Sequence, residues 1–274
     1  MRLRASVSTV LAAGWAVTVL RAAPPAPNPG GAESPPALRA LNPDRPDVTE
    51  SPFTIDAGHL QVEMDLANYT RDAGDGRHAA WGVAPFNLRL GVRENLELGL
   101  FVVPYLRETV QPSGGASETH AGFGDVTLRA KVNFRGNDGD GTALGLIADL
   151  KLPTATAGLG NGAVEGTILL PVSLDLGGGW DLGAMTGVGL RRSDTGGRSG
   201  TWINSVTAGH GLTRDLAGYC EVATETAAGA PVATFDVGLT LKLNANTQLD
   251  VGAQFGLSRA ADDTLVFTGL TRRY

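Results

Sequence analysis

The chain is poor in most of what stabilises or arms a small exported enzyme. Its 274 residues contain one cysteine, Cys220, so no intrachain disulfide can form. Aromatic residues make up only 6%. Twenty-two Lys and Arg against 28 Asp and Glu leave a net charge of −6, with no basic stretch to neutralise phosphates. That balance excludes a general nucleic-acid binder. After the N-terminus no apolar run approaches the roughly 18–20 residues of a membrane-crossing helix. Of the four histidines, His59 and His210 fall near predicted strand ends, and His78 and His120 fall in predicted loops. None has metal-ligand spacing, and no Gly-x-Ser-x-Gly elbow occurs. The Gly-rich pieces at 158–162 and 177–179 lack a following Lys-Ser/Thr and read as turns. No catalytic residue, metal site or cofactor is therefore expected, and the chain does not read as an enzyme.

What is present points to export and to strands. Arg2 and Arg4 precede the largely apolar stretch 7–20, with Ala22 and Ala23 as small residues for cleavage. This predicts a signal peptide over residues 1–23. Eight of the 15 prolines fall between residues 21 and 46, which predicts a flexible leader over 24–46. The 38 glycines disfavour long helices.

From Gly58 onward the apolar period is two. Leu60, Val62, Met64 and Leu66 alternate with Gln61, Glu63 and Asp65. Val126, Leu128, Ala130, Val132 and Phe134 alternate with Asp125, Thr127, Arg129, Lys131 and Asn133. Further alternating runs predict strands at 86–92, 96–102, 144–152, 170–176, 180–190, 237–243 and 249–257. Weaker ones lie at 201–212, 216–226 and 264–274. Twelve strands follow, most of them 10 to 13 residues long, the length a tilted membrane strand needs. Long links at 72–79, 110–120, 154–163 and 193–200 alternate with short ones at 93–95, 135–141, 177–179, 213–215 and 244–247. Bacterial barrels have long loops outside and short turns in the periplasm. The expected fold is all-β: a single transmembrane antiparallel up-and-down barrel over residues 47–274, in the cell outer membrane.

The alternating polar face carries too many charges for a dry core, so it is expected to line the lumen, with the apolar face toward lipid. The terminal Tyr274 matches the aromatic end common to bacterial outer-membrane proteins. The expected lumen negatives are Glu63, Asp65, Glu97, Asp125, Asp149, Asp175, Asp181, Glu221, Glu225, Asp236 and Asp250. The positives are Arg89, Arg129, Lys131, Lys151, Arg191 and Lys242. Six minus eleven gives −5, which would favour cations in an open channel. Glu97 and Arg129 are candidates to face each other. The alternative is an interior closed by cross-strand ion pairs.

The segment RPDVTESPFTIDAGHLQVE at 45–63 resembles the opening of an outer-membrane family named for the meta-pathway of phenol degradation. GFGDVTLRAK at 122–131, KLPTA at 151–155 and QLDVGAQFGLS at 248–258 are similar too. The resemblance covers roughly residues 45–274. It implies a barrel that transports small hydrophobic or aromatic solutes; the fold class in turn implies assembly by the barrel-insertion machinery. Arg45, Pro46, Asp47, Thr49 and Glu50 are read either as a periplasmic gate or as a cap that starts the first strand. The competing reading of the whole is a closed structural or surface-interaction barrel.

Overall fold

The computed structural model describes residues 38–74, 76–139, 141–193, 196–227 and 231–274. The expected signal peptide and the first part of the expected leader lie outside them. The strands are β1 (Leu60–Asp72), β2 (Gly76–Gly82), β3 (Phe86–Arg93), β4 (Leu96–Val102), β5 (Leu106–Pro112), β6 (Glu118–Gly122) and β7 (Val126–Arg135). They continue with β8 (Thr142–Leu152), β9 (Glu165–Gly177), β10 (Trp180–Arg192), β11 (Arg198–Gly211), β12 (Leu216–Thr226), β13 (Val232–Asn244), β14 (Thr247–Gly256) and β15 (Thr264–Arg273). All pairings are antiparallel, and β15 pairs with β1 from Gln61↔Arg273 to Arg71↔Thr264. The sheet therefore closes, the condition for β-structure in lipid, and among the described residues β6 alone is paired on one side only, with β5.

The wall has twelve spans, as the alternation predicts. Nine are single strands. The other three are each made of two strands on one line. The lower half of β1 pairs with β3 and its upper half with β2. β3 then pairs with β4 and β2 with β5; β4 pairs with β7 and β5 with β6. The three interruptions, 83–85, 103–105 and 123–125, lie side by side. Each also reverses the pleat. Below the breaks Asn87, Arg89, Glu97, Arg129 and Lys131 are the buried, inward positions; above them Gly82 and Leu106 are. An extra residue in a strand flips every side chain beyond it, as in a β-bulge. Pro85 and Pro104 cannot donate to a ladder, and Ala84 has φ of 57°, a left-handed conformation rare for a residue with a side chain.

Several loops are shorter than expected. Strand pairing resumes beyond the three breaks in β2, β5 and β6, so the links expected at 72–79 and 110–120 are shorter, the second reduced to 113–117. At the other end, Gly177, Gly178 and Gly179 all have positive φ and turn the chain tightly between β9 and β10.

The exterior is an apolar belt. Leu98, Leu128, Leu150, Ile168, Val188, Val206, Val222, Leu239, Val251 and Val266 are all 42–52% exposed. Trp81 and Trp202 toward the upper rim, with Phe134, Trp180 and Tyr274 at the lower, form sparse girdles. The buried list is the reverse of a soluble protein's. Arg89, Glu97, Lys131 and Thr271 are at 0%, and Gln61 and Glu221 at 1%. Replacing Leu128, mid-wall, by Arg is expected to destabilise the barrel by about 2–4 kcal/mol in urea titrations in vesicles, whereas Leu212→Arg at a lower turn should cost roughly 0–1 kcal/mol. Equal effects would contradict the orientation assigned here.

Candidate functional site in the barrel lumen

Residues 38–59 precede the first strand and run inside the barrel at its lower end. The expected leader therefore extends past residue 46, and the stretch from 47 to 59 belongs to it. This segment is tied to the wall on both sides. On one side Arg45 donates two hydrogen bonds to Asp250 (2.9 and 2.8 Å) and one to Asp65 (2.6 Å). Asp44 bonds Lys131 and lies 3.4 Å from Arg89 and 3.5 Å from Arg129. Its backbone N–H donates to Glu63 (3.0 Å). Glu50 pairs with Arg129 (2.5 Å). On the other side the Val48 and Thr49 N–H groups donate to Glu221 (both 2.7 Å), and the Thr49 hydroxyl meets Ser205 (2.7 Å).

Further bonds splint the segment along β3, β4 and β7. The Phe53 carbonyl accepts from Arg89 (3.0 Å), the Pro52 carbonyl from Asn133 (2.9 Å), and the Ile55 N–H donates to Glu97 (3.0 Å). Backbone groups that a water-filled lumen would solvate are thus held by the wall. Two wall glycines make the room. A Cβ at Gly91 would collide with the carbonyl oxygens of Ile55 and Asp56, and one at Gly269 with the Arg45 guanidinium.

The inner wall is an ion-pair network. Arg89 binds Glu97 through two atoms (2.8 and 2.9 Å) and Glu63 at 2.5 Å. Arg129 makes a two-point bond to Asp149 (2.8 and 2.8 Å) and lies over the Phe101 ring at 4.5 Å. The facing pair expected from sequence is rearranged: Glu97 sits across from Lys131, and Gly99 is across from Arg129. Higher up, Lys151 bridges Asp125 (2.7 Å) and Glu165 (3.2 Å), and Arg191 pairs with Glu225. Asp175 faces Asp181 across β9 and β10, and Asp175 and Lys242 are exposed at the lower mouth. Asp236 accepts from Gln254 (3.1 Å). Pro46 makes no hydrogen bond of its own side chain, as its ring dictates. Among the described residues no group of His, Cys, Asp and Glu could hold a metal ion.

The sequence reading missed Asp44, the most connected leader residue, and the two wall glycines. A lone Asp in a Pro-rich stretch carries no periodic signal, and a Gly reads as a strand weakness until its neighbour is known. It also missed a second feature at the three aligned breaks. Val103, Leu106 and Leu159 are buried there at 2–7%, with Ala80, Ala84 and Ala155 packed against them. Leu159 comes from the loop 153–164. That loop is pinned over the break: the Thr156 N–H donates to the Phe123 carbonyl (2.7 Å), and the Phe123 and Val126 N–H groups donate to Thr156 and Thr154 hydroxyls (both 2.9 Å). It supplies bonds that an unbroken neighbouring strand would have supplied.

A closed barrel with an apolar belt, a charged interior and a segment threaded into its lower end defines an outer-membrane β-barrel. The chain belongs to the family described as "putative MetA-pathway of phenol degradation", which matches residues 43–274. Among solved structures it is similar to the COG4313 outer membrane channel from Pseudomonas putida F1, at 15% identity and TM-score 0.63, covering 81% of this chain and 97% of that one. It is similar to the translocator domain of the autotransporter NalP from Neisseria meningitidis, at 10% identity and TM-score 0.54, covering 80% and 90%. It also resembles the NanC porin, at 8% identity and TM-score 0.52, covering 78% and 98%. No curated protein matches it by sequence.

Two leader carboxylates titrate unusually. Burial pushes Glu50 up to about 7 against the pull of Arg129, and burial beside Glu221 pushes Asp47 well above its usual range. Burial would also raise Asp44, but Arg89, Lys131 and Arg129 outweigh it and hold it low. A carboxyl raised in the docked state stabilises docking while protonated and loses that contribution as pH rises through the docked value. Docking is therefore expected to weaken between about pH 5 and pH 8, and Glu50→Gln to flatten that slope. Labelling of a Ser51→Cys probe by a maleimide, in a Cys220→Ser background and corrected for thiolate reactivity, reads this directly. In the same assay Arg45→Ala should speed labelling at least tenfold, since it strands the buried Asp250 carboxylate, a loss worth about 3–5 kcal/mol.

Proposed function

We propose that the chain is a channel for small hydrophobic or aromatic solutes, with the leader closing the straight route to the periplasm and the broken part of the wall offering a second route to lipid. The observation that carries this is the seam of three aligned breaks. It is apolar on the lumen side and is covered by one loop rather than by continuous pairing. A polar solute gains nothing from Val103, Leu106 and Leu159, whereas an apolar one keeps its surface out of water. Trp81, Val83 and Tyr105, exposed on the outer face beside the seam, continue the apolar surface toward the bilayer. Aromatics are few in this chain, and this part of the wall gathers Tyr69, Trp81, Phe86, Phe101, Tyr105 and Phe123.

The rest of the lumen suits water. Asn87, Thr201, Thr271 and Tyr219 have buried side-chain polar atoms with no protein partner, as groups meeting ordered water do. Glu221 and Asp236 have no Lys or Arg partner among the described residues, and with the leader moved they meet water and ionise, which supports a preference for cations. We read the chain as non-enzymatic, and its assembly as the work of the barrel-insertion machinery. The competing reading, a closed structural barrel, is favoured by the dense ion pairs about Arg89 and Arg129.

A disulfide between Val103→Cys and Leu159→Cys, in a Cys220→Ser background, would lock the loop on the seam. Cells expressing the reduced protein should take up a labelled monocyclic aromatic faster than vector controls, and oxidation should return uptake to the control rate. Uptake that is raised and indifferent to oxidation would remove the seam from the route. Uptake at the control rate in both states would favour the structural barrel.

A further inference from the structure

Three arginines stand on the outer wall near the extracellular rim, apart from the lumen and its network. Arg71 on β1, Arg77 on β2 and Arg107 on β5 are all exposed. Their places follow from the register: Arg71 is opposite Ala79, Trp81 is opposite both Tyr69 and Arg107, and Arg77 is opposite Gln111. With strands about 4.8 Å apart and about 3.4 Å per residue, the three Cα atoms lie roughly 8–14 Å from one another. Tyr69 and Trp81, in ring contact at 4.5 Å, sit directly below Arg71 and Arg77 on the same outward rows. Below them again the outer face is apolar, through Leu66, Val83 and Tyr105, each 43–47% exposed.

Two observations mark this patch: three unpaired arginines are gathered within it, and it borders a groove. First, none of the three guanidinium groups is paired with a carboxylate of the described residues. The arginines of the lumen, Arg45, Arg89 and Arg129, each bind at least two. Three like charges within about a Debye length of one another attract an anion to the patch. Second, the patch borders a concavity. An open groove of about 520 Å³ is lined by Arg71 and Arg77, with Gln111, Pro112, Ser113 and the small residues Ala73, Gly74, Gly76 and Gly114. It opens at the level where the outer leaflet carries its headgroups, because the tight turns such as 177–179 mark the opposite end as periplasmic.

We propose that this patch is a docking site for a phosphorylated glycolipid of the outer leaflet. The Arg71 and Arg77 side chains grip one phosphate at the concavity, Arg107 reaches a second phosphate across the sugar, and the acyl chains lie down the Leu66, Val83 and Tyr105 face. Guanidinium groups suit this ligand because their planar donors bind phosphate oxygens two at a time. The aromatic pair marks the boundary between headgroup and tail, where Tyr and Trp rings settle. A phospholipid with one phosphodiester would satisfy one edge of the triangle and leave the third arginine unmatched. A soluble anion would use the charges and ignore the apolar face beneath them.

The test is native mass spectrometry of the detergent-purified full chain, mixed with bisphosphorylated lipid A, its monophosphorylated form or phosphatidylglycerol. Folding of every variant is checked by heat-modifiable migration. The wild type should retain bisphosphorylated lipid A at least tenfold more than phosphatidylglycerol, with the monophosphorylated form between. The variant R71Q/R77Q/R107Q should lose this retention tenfold or more. A control with three arginines of the periplasmic end changed, R93Q/R214Q/R272Q, should keep it. Equal retention by the wild type and the first variant, equal loss in the control, or no preference over phosphatidylglycerol would each overturn the proposal.

Discussion

Everything in this barrel depends on satisfying charges inside a closed β-wall whose outside is lipid. Arg89 shows the constraint at its strictest. It is fully buried, binds Glu97 and Glu63, and donates to a leader carbonyl. An isolated buried guanidinium would be prohibitive, and one with two carboxylates and a carbonyl is not. The same requirement explains why the leader is inside. Lys131 is fully buried with Asp44 as its near partner, and Asp250 needs Arg45. Leader and wall are therefore one electrostatic unit: withdrawing the leader leaves Lys131, Asp250 and Glu221 without their main partners.

That coupling docks the leader instead of leaving it a free linker, and the proposed gating rests on it. It is bound through many charge-assisted bonds to several different strands, so partial release is costly and full release exposes all the groups together. The raised carboxyls at Glu50 and Asp47 tie its seating to proton concentration. The seam in the wall follows the opposite logic. Its residues are small or apolar, its backbone bonds are borrowed from one loop, and few charged groups hold it. Stability is thus distributed unevenly: the lower lumen is fixed by ions, and the broken spans rest on a loop and three apolar side chains. Regions of low local stability are where binding and passage are accommodated.

Much of this was readable from the sequence. The strict alternation around Arg129 and Lys131 placed both on the inward face, and an even number of spans with long and short links gave the up-and-down barrel. The weak runs at 201–212, 216–226 and 264–274 are full strands, because closure pairs them on both sides and pairing outweighs their thin apolar pattern. The breaks at 83–85, 103–105 and 123–125 were hidden. Each looks like an ordinary Pro or Gly interruption, and only the register shows that they are neighbours. Over 24–46 the Pro-rich composition predicts a free segment, because such sequence packs poorly on itself. Composition says nothing about docking onto charges over 200 residues away, as Arg45 does on Asp250.

The central claim is that the leader closes the lumen by binding its charges. Single-channel recording of the refolded barrel in planar bilayers, with and without residues 38–57, tests it most directly. The intact chain should be silent or conduct in rare, small steps that grow more frequent at higher pH. The shortened chain should open to a steady, larger conductance with a reversal potential favouring K⁺ in asymmetric KCl. Identical conductance in the two, with both shown to be inserted, would contradict the account.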